Sequence, residues 1–60
     1  MELLDYDAAA SRLGVSTRFL RDLVYRHEIG LVRLGRLVRF RPSDLDAYIE
    51  RRAVEPQRAS

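Results

Sequence analysis

Apolar positions recur at helical spacing at both ends of the chain, and with a period of two in between. Tyr6, Ala9, Ala10 and Leu13 fall on one face of a helix spanning residues 5–13. Asp5 is placed to cap it, with Asp7 in the first turn near the positive end of the helix dipole. Gly14 follows where a helix closes through a left-handed residue. Ser16 caps a second helix that runs to about Arg26 or His27. Its buried stripe is Phe19, Leu20, Leu23 and Val24; Arg18, Arg21, Asp22 and Tyr25 take the opposite face. Val15 before the cap and Leu20 at the fourth helical position suit a hydrophobic staple.

The link Leu13-Gly14-Val15-Ser16 has the length and the glycine of the turn in a helix-turn-helix. Residues 31–41 then alternate. Val32, Leu34, Val38 and Phe40 can share one face of a hairpin, and Arg33, Arg39 and Arg41 the other. Parity bears on the turn. A two-residue loop at Gly35-Arg36 pairs Leu34 with Leu37 and sets Arg33 beside Val38, which mixes the faces. An odd-length tip, Gly35-Arg36-Leu37, keeps them separate and places Arg33 opposite Arg39. A Leu34-Gly35-Arg36 tip has the same parity. Pro42 ends the second strand, and Ser43 caps a third helix with Leu45, Tyr48 and Ile49 inward. The expected fold class is α+β: two helices, a two-stranded hairpin and a C-terminal helix, a small winged helix-turn-helix over residues 1–53. Residues 54–60 read as a flexible tail.

Charge sharpens this picture. The net +2 hides −3 over residues 1–11, +6 over 12–41 and −1 over 42–60. A basic middle segment is the electrostatic footprint of a polyanion-binding protein. All eleven basic residues are arginine, the residue of bidentate phosphate and guanine contacts; GC-rich coding produces the same bias. In the odd-loop register, like charges face one another across the strands, a cost that a polyanion would offset. The hairpin then reads as a wing gripping nucleic acid through Arg33, Arg36, Arg39 and Arg41. An ordinary solvated face is the plainer alternative. The first turns of a recognition helix lie nearest the base edges, which assigns Thr17, Arg18 and Arg21 to the major groove. Arginine can take guanine O6 and N7 together, and a threonine methyl can touch thymine. Ser16, Tyr25 and Arg26 are assigned to the backbone, with capping the main work of Ser16. Asp22 has Arg18 and Arg26 at i,i+4 spacing.

The order of elements resembles the excisionase-type proteins with a MerR-like winged helix-turn-helix domain. The resemblance runs from about Leu3 to Ile49 and rests on "AAASRLGVS" (8–16), "VRLGRLVRF" (32–40) and "RPSDLDAYI" (41–49). The family pattern has two alanines in the first helix, a Leu-Gly-Val-Ser turn, a Gly-Arg wing and a Ser-Asp-Leu start to the last helix. It often has a glycine after the recognition helix, where this chain has Arg26 and His27, and a proline where this chain has Gly30. The resemblance implies a DNA-bending accessory factor that favours excision by a phage-type integrase and binds repeated sites cooperatively. Its partners would be double-stranded DNA, an integrase and neighbouring copies of itself, in the cytoplasm of a bacterial or phage-infected cell. Small MerR-like transcriptional regulators share the domain. A full regulator of that type needs a long dimerising helix after residue 50, and none is expected here.

Other classes fare worse. Sixty residues bury only roughly 60% of the unfolded surface, which leaves no room for a deep catalytic cavity. There is no cysteine, and His27 stands alone with no partner for a metal site. No phosphate-binding loop or Ser/His/Asp grouping is evident, so no enzyme, cofactor, metal or small-molecule ligand is expected. No apolar stretch reaches the ~18 residues of a membrane span. A protein-interaction module is the rival outside DNA binding; it would ignore duplex DNA at moderate salt.

Overall fold

The computed structural model describes residues 2–56. Of the tail expected over 54–60, residues 57–60 lie outside the described residues; Val54, Glu55 and Pro56 are exposed coil. The elements, in order, are α1 (Tyr6–Leu13), α2 (Thr17–Tyr25), β1 (Val32–Leu34), β2 (Leu37–Arg39) and α3 (Pro42–Arg52). Three helices and an antiparallel hairpin make the expected α+β winged helix-turn-helix.

The first two helices form for local reasons. The Asp5 carboxylate accepts the Ala8 N–H at 2.8 Å, and the Ser16 hydroxyl accepts the Phe19 N–H at 3.0 Å, so each helix starts on a side-chain cap. Gly14 closes α1 at φ 74°, its N–H donating to Ser11 while Val15 donates to Ala10. That paired closure is the Schellman motif, and it makes the link to α2 short. Ala9 and Ala10 are buried against Leu20 and Leu23. Their small side chains let the two helices approach closely.

His27 ends α2 in the same way, at φ 59°, with His27 N–H donating to Val24 and Glu28 N–H to Leu23. A histidine therefore occupies the left-handed position that glycine adopts most easily. Helical periodicity would carry His27 round to the apolar side of α2; the left-handed turn leaves it exposed instead.

Two members of the expected stripes turn outward. Phe19 is 43% exposed and Ile49 46%, while Leu20, Leu23 and Leu45 are buried. Phe19 and Ile49 lie at the margins of their apolar arcs, where burial depends on a neighbour that neither has. The core is completed by Ile29 and Phe40, with Tyr6 edge-on to Phe40 at 5.4 Å.

The hairpin corrects the expected register. Val32 pairs with Arg39, Arg33 with Val38 and Leu34 with Leu37, around a two-residue Gly35-Arg36 loop. Arg33 does not face Arg39, and the proposed like-charge repulsion does not exist. Gly35 sits at φ 63° and Arg36 at negative φ, the type II′ pattern whose twist matches the strands. Turn chemistry outweighs clean alternation because only the base of the hairpin meets the core. Leu31, Val38 and Phe40 point inward there. Leu34 and Leu37 form a pair on the other face near the tip, 48% and 53% exposed.

An unexpected bridge anchors the base: Leu4 and Phe40 exchange both backbone hydrogen bonds at 2.8 Å. The start of α3 differs as well. Arg41, not Ser43, is its N-cap, with Pro42 at the first helical position, where a missing N–H costs nothing. Asp44 reaches back to accept the Arg41 N–H at 3.1 Å, the carboxylate half of a capping box.

Candidate nucleic-acid interface

The outer face of α2 forms an open groove lined by Ser16, Arg18, Phe19, Arg21, Asp22 and Tyr25. Arg18, Asp22 and Tyr25 stand on the stripe opposite the buried Leu20 and Leu23. Arg21 and Phe19 flank that stripe on either side, as helical spacing of roughly 100° per residue requires. Tyr25 is 83% exposed. Thr17, at the first helical position, is half-buried. Four of the six residues expected on this helix to meet DNA, Ser16, Arg18, Arg21 and Tyr25, thus share one groove. Arg26 lies at its C-cap and Thr17 at its N-terminus.

The arginines are not equivalent. Arg21 lies over the Tyr6 ring, 4.4 Å from its centroid. Arg26 pairs with Asp22 at 2.9 Å and with Glu28 at 3.2 Å. Of the two partners open to Asp22, the structure selects Arg26. Glu28 also pairs with Arg52, and its carbonyl accepts from Arg51 at 2.9 Å. This network holds the end of α3 to the connection after α2. Arg39 donates to the Val38 carbonyl at 2.8 Å.

Arg41 stands outside the hairpin, at the cap of α3. Its guanidinium donates to Asp44 Oδ2 at 3.0 Å and to Oδ1 at 2.7 Å. Asp44 is only 8% exposed, and these hydrogen bonds hold its carboxyl below the usual carboxylate range despite the opposing pull of burial. The close approach of Gly30 encloses it: a Cβ on Gly30 would lie 2.9 Å from Asp44 Oδ1. The carboxylate partnership of Arg41 was invisible to strand alternation, although Arg41 and Asp44 are only three residues apart.

By contrast, Arg18, Arg33 and Arg36 are exposed and make no ion pair or hydrogen bond among the described residues. A family model for a helix-turn-helix domain matches residues 3–53. The chain belongs to the helix-turn-helix domain family. No curated protein and no solved structure matches it. The match covers both helices, the hairpin and α3. As a DNA-binding helix-turn-helix, this domain has double-stranded DNA as its ligand. Among the described residues no group of histidine, cysteine and carboxylate side chains could hold a metal, and no helix is long and apolar enough to cross a membrane.

Proposed function

We propose that this helix-turn-helix protein is a sequence-specific, DNA-bending accessory factor of the excisionase type, which directs an integrase toward excision. One observation carries the DNA geometry. Among the described residues, the arginines without a protein partner are Arg18 on the outer stripe of α2 and Arg33 and Arg36 on the hairpin, the two elements that a winged helix-turn-helix offers to a duplex. A guanidinium without a protein partner is ready for a guanine edge or a phosphate. Thr17 and Arg18 read bases from the first turn of α2, and Arg21 joins them by leaving the Tyr6 ring. Ser16, Tyr25 and Arg26 position the backbone. Arg33, Arg36 and Arg39 grip it from the wing, with Arg41 at the wing's base.

The recombination role rests on the family, which includes excisionase-like proteins, and on scale. One domain of this size contacts too little DNA to reshape a recombination complex alone. The acidic first segment and the basic hairpin are complementary surfaces for head-to-tail contact between copies, and such contacts extend along DNA instead of closing. The protein is then a monomer in solution that binds its site cooperatively and bends it.

Footprinting across the ends of an integrated element, with and without its integrase, tests this. Adjacent protected sites filled cooperatively, together with excision that depends on the protein, are the expected result. A two-fold dimer protecting one palindrome, with excision unchanged on deletion, would make the protein a MerR-like regulator instead.

A further inference from the structure

We infer that Phe19 reads a thymine methyl group in the major groove and so sets part of the DNA sequence preference; this rests on α2 being the recognition helix. Three observations converge on it. Phe19 is a phenyl side chain left 43% exposed, whereas the chain's other phenylalanine, Phe40, is fully buried. It lies in the first turn of α2, where the Ser16 hydroxyl accepts its backbone N–H and fixes its backbone position. It shares one groove with Arg18, whose guanidinium is unengaged among the described residues.

The pairing of those two residues defines the occupant. Arg18 supplies a cation that suits guanine O6 and N7, and Phe19 supplies an apolar surface beside it. On the floor of the major groove the one apolar group is the C5-methyl of thymine. A phenyl ring against that methyl removes both from water. A phosphate would satisfy Arg18 but leave the ring exposed. Thr17 also carries a methyl group, but it is half-buried and presents less surface than Phe19. The preferred site therefore contains a thymine close to the guanine that Arg18 contacts.

The test starts from the duplex that the full chain selects out of a random pool. Each thymine in that duplex is replaced in turn by deoxyuridine, which removes only the methyl group. At one position, affinity should fall about fourfold, the factor that corresponds to losing one buried methyl-sized group. Phe19→Ala and Phe19→Gln, with folding checked by melting curves, should bind the thymine duplex more weakly and no longer distinguish thymine from deoxyuridine there.

Three results would overturn the assignment while leaving DNA binding intact: a selected site with no thymine, indifference of the unmodified protein to every replacement, or an unchanged thymine preference in the Phe19 variants. Failure of the protein to bind any duplex would remove the recognition-helix reading itself. The replacement series needs only the unmodified protein, so it stands even if a variant fails to fold.

Discussion

At the scale of single residues, the tightest constraint is the packing of Gly30, Arg41 and Asp44. Any side chain at Gly30 meets the buried carboxylate at 2.9 Å, so Gly30→Ala must displace Asp44 or the Arg41 guanidinium that it holds. Asp44→Ala should cost about 1–3 kcal/mol by removing charge-assisted hydrogen bonds and the carboxylate cap of α3. The sign of its pH dependence follows from the depressed carboxyl. The native state holds Asp44 ionised more strongly than the unfolded chain does, so its contribution is complete above an ordinary carboxylate pKa of about 3.9 and is lost as pH falls through the lower native value. Urea titrations should show the variant's deficit at pH 7 and a shrinking deficit below about pH 4. His27 offers the opposite opportunity. It is exposed at φ 59°, so His27→Gly should raise stability by about 0.5–1 kcal/mol, seen as a higher melting temperature with DNA affinity little changed.

At the scale of elements, the hairpin separates folding from binding. Its two-residue turn places Arg33 across from Val38 and Arg39 across from Val32, so neither arginine faces a like charge on the opposite strand. Arg33→Gln and Arg36→Ala should therefore leave the unfolding free energy within about 0.5 kcal/mol of the parent, as surface changes without lost contacts do. Both should weaken duplex binding in a fluorescence titration. Unchanged affinity in both variants would remove the wing from the interface. The helix α2 divides by face in the same manner. Leu20 and Leu23 hold it to α1 and the core, while Arg18 extends from the opposite stripe. Arg18→Ala should cost about 1–3 kcal/mol on the preferred site and less on random DNA, because a guanine contact exists only where guanine is present.

At the scale of the whole molecule, fewer positive charges are available to DNA than the eight arginines of residues 12–41 suggest. Arg26 and Arg41 are neutralised locally by carboxylates, and Arg21 and Arg39 are held by a ring and a carbonyl. Phosphate contacts by Arg33 and Arg36, which have no protein partner among the described residues, predict a slope of log K against log salt of about −2; recruiting Arg26 and Arg39 as well would take it to about −3.5. A binding titration from low to moderate salt measures that slope. A flat response would refute a phosphate-driven interface.

What the sequence determined by itself is what depends on neighbours within about one helical turn: the Asp5 and Ser16 caps, the closure at Gly14, and the alanine and leucine stripes of α1 and α2. Each is a short-range relation between backbone geometry and side-chain chemistry, so periodicity and spacing are enough to reveal it. Tertiary structure decided the rest. The bridge from Leu4 to Phe40 joins residues far apart in the chain. Phe19 and Ile49 sit at the edges of apolar arcs, where exposure depends on whether another element covers them. The hairpin register followed the II′ turn at Gly35 instead of the alternation, because the wing tip reaches past the core and has no buried face to protect. The long, flexible arginines were the least legible, since the partner a guanidinium finds depends on which carboxylates, rings and carbonyls the fold brings within its reach.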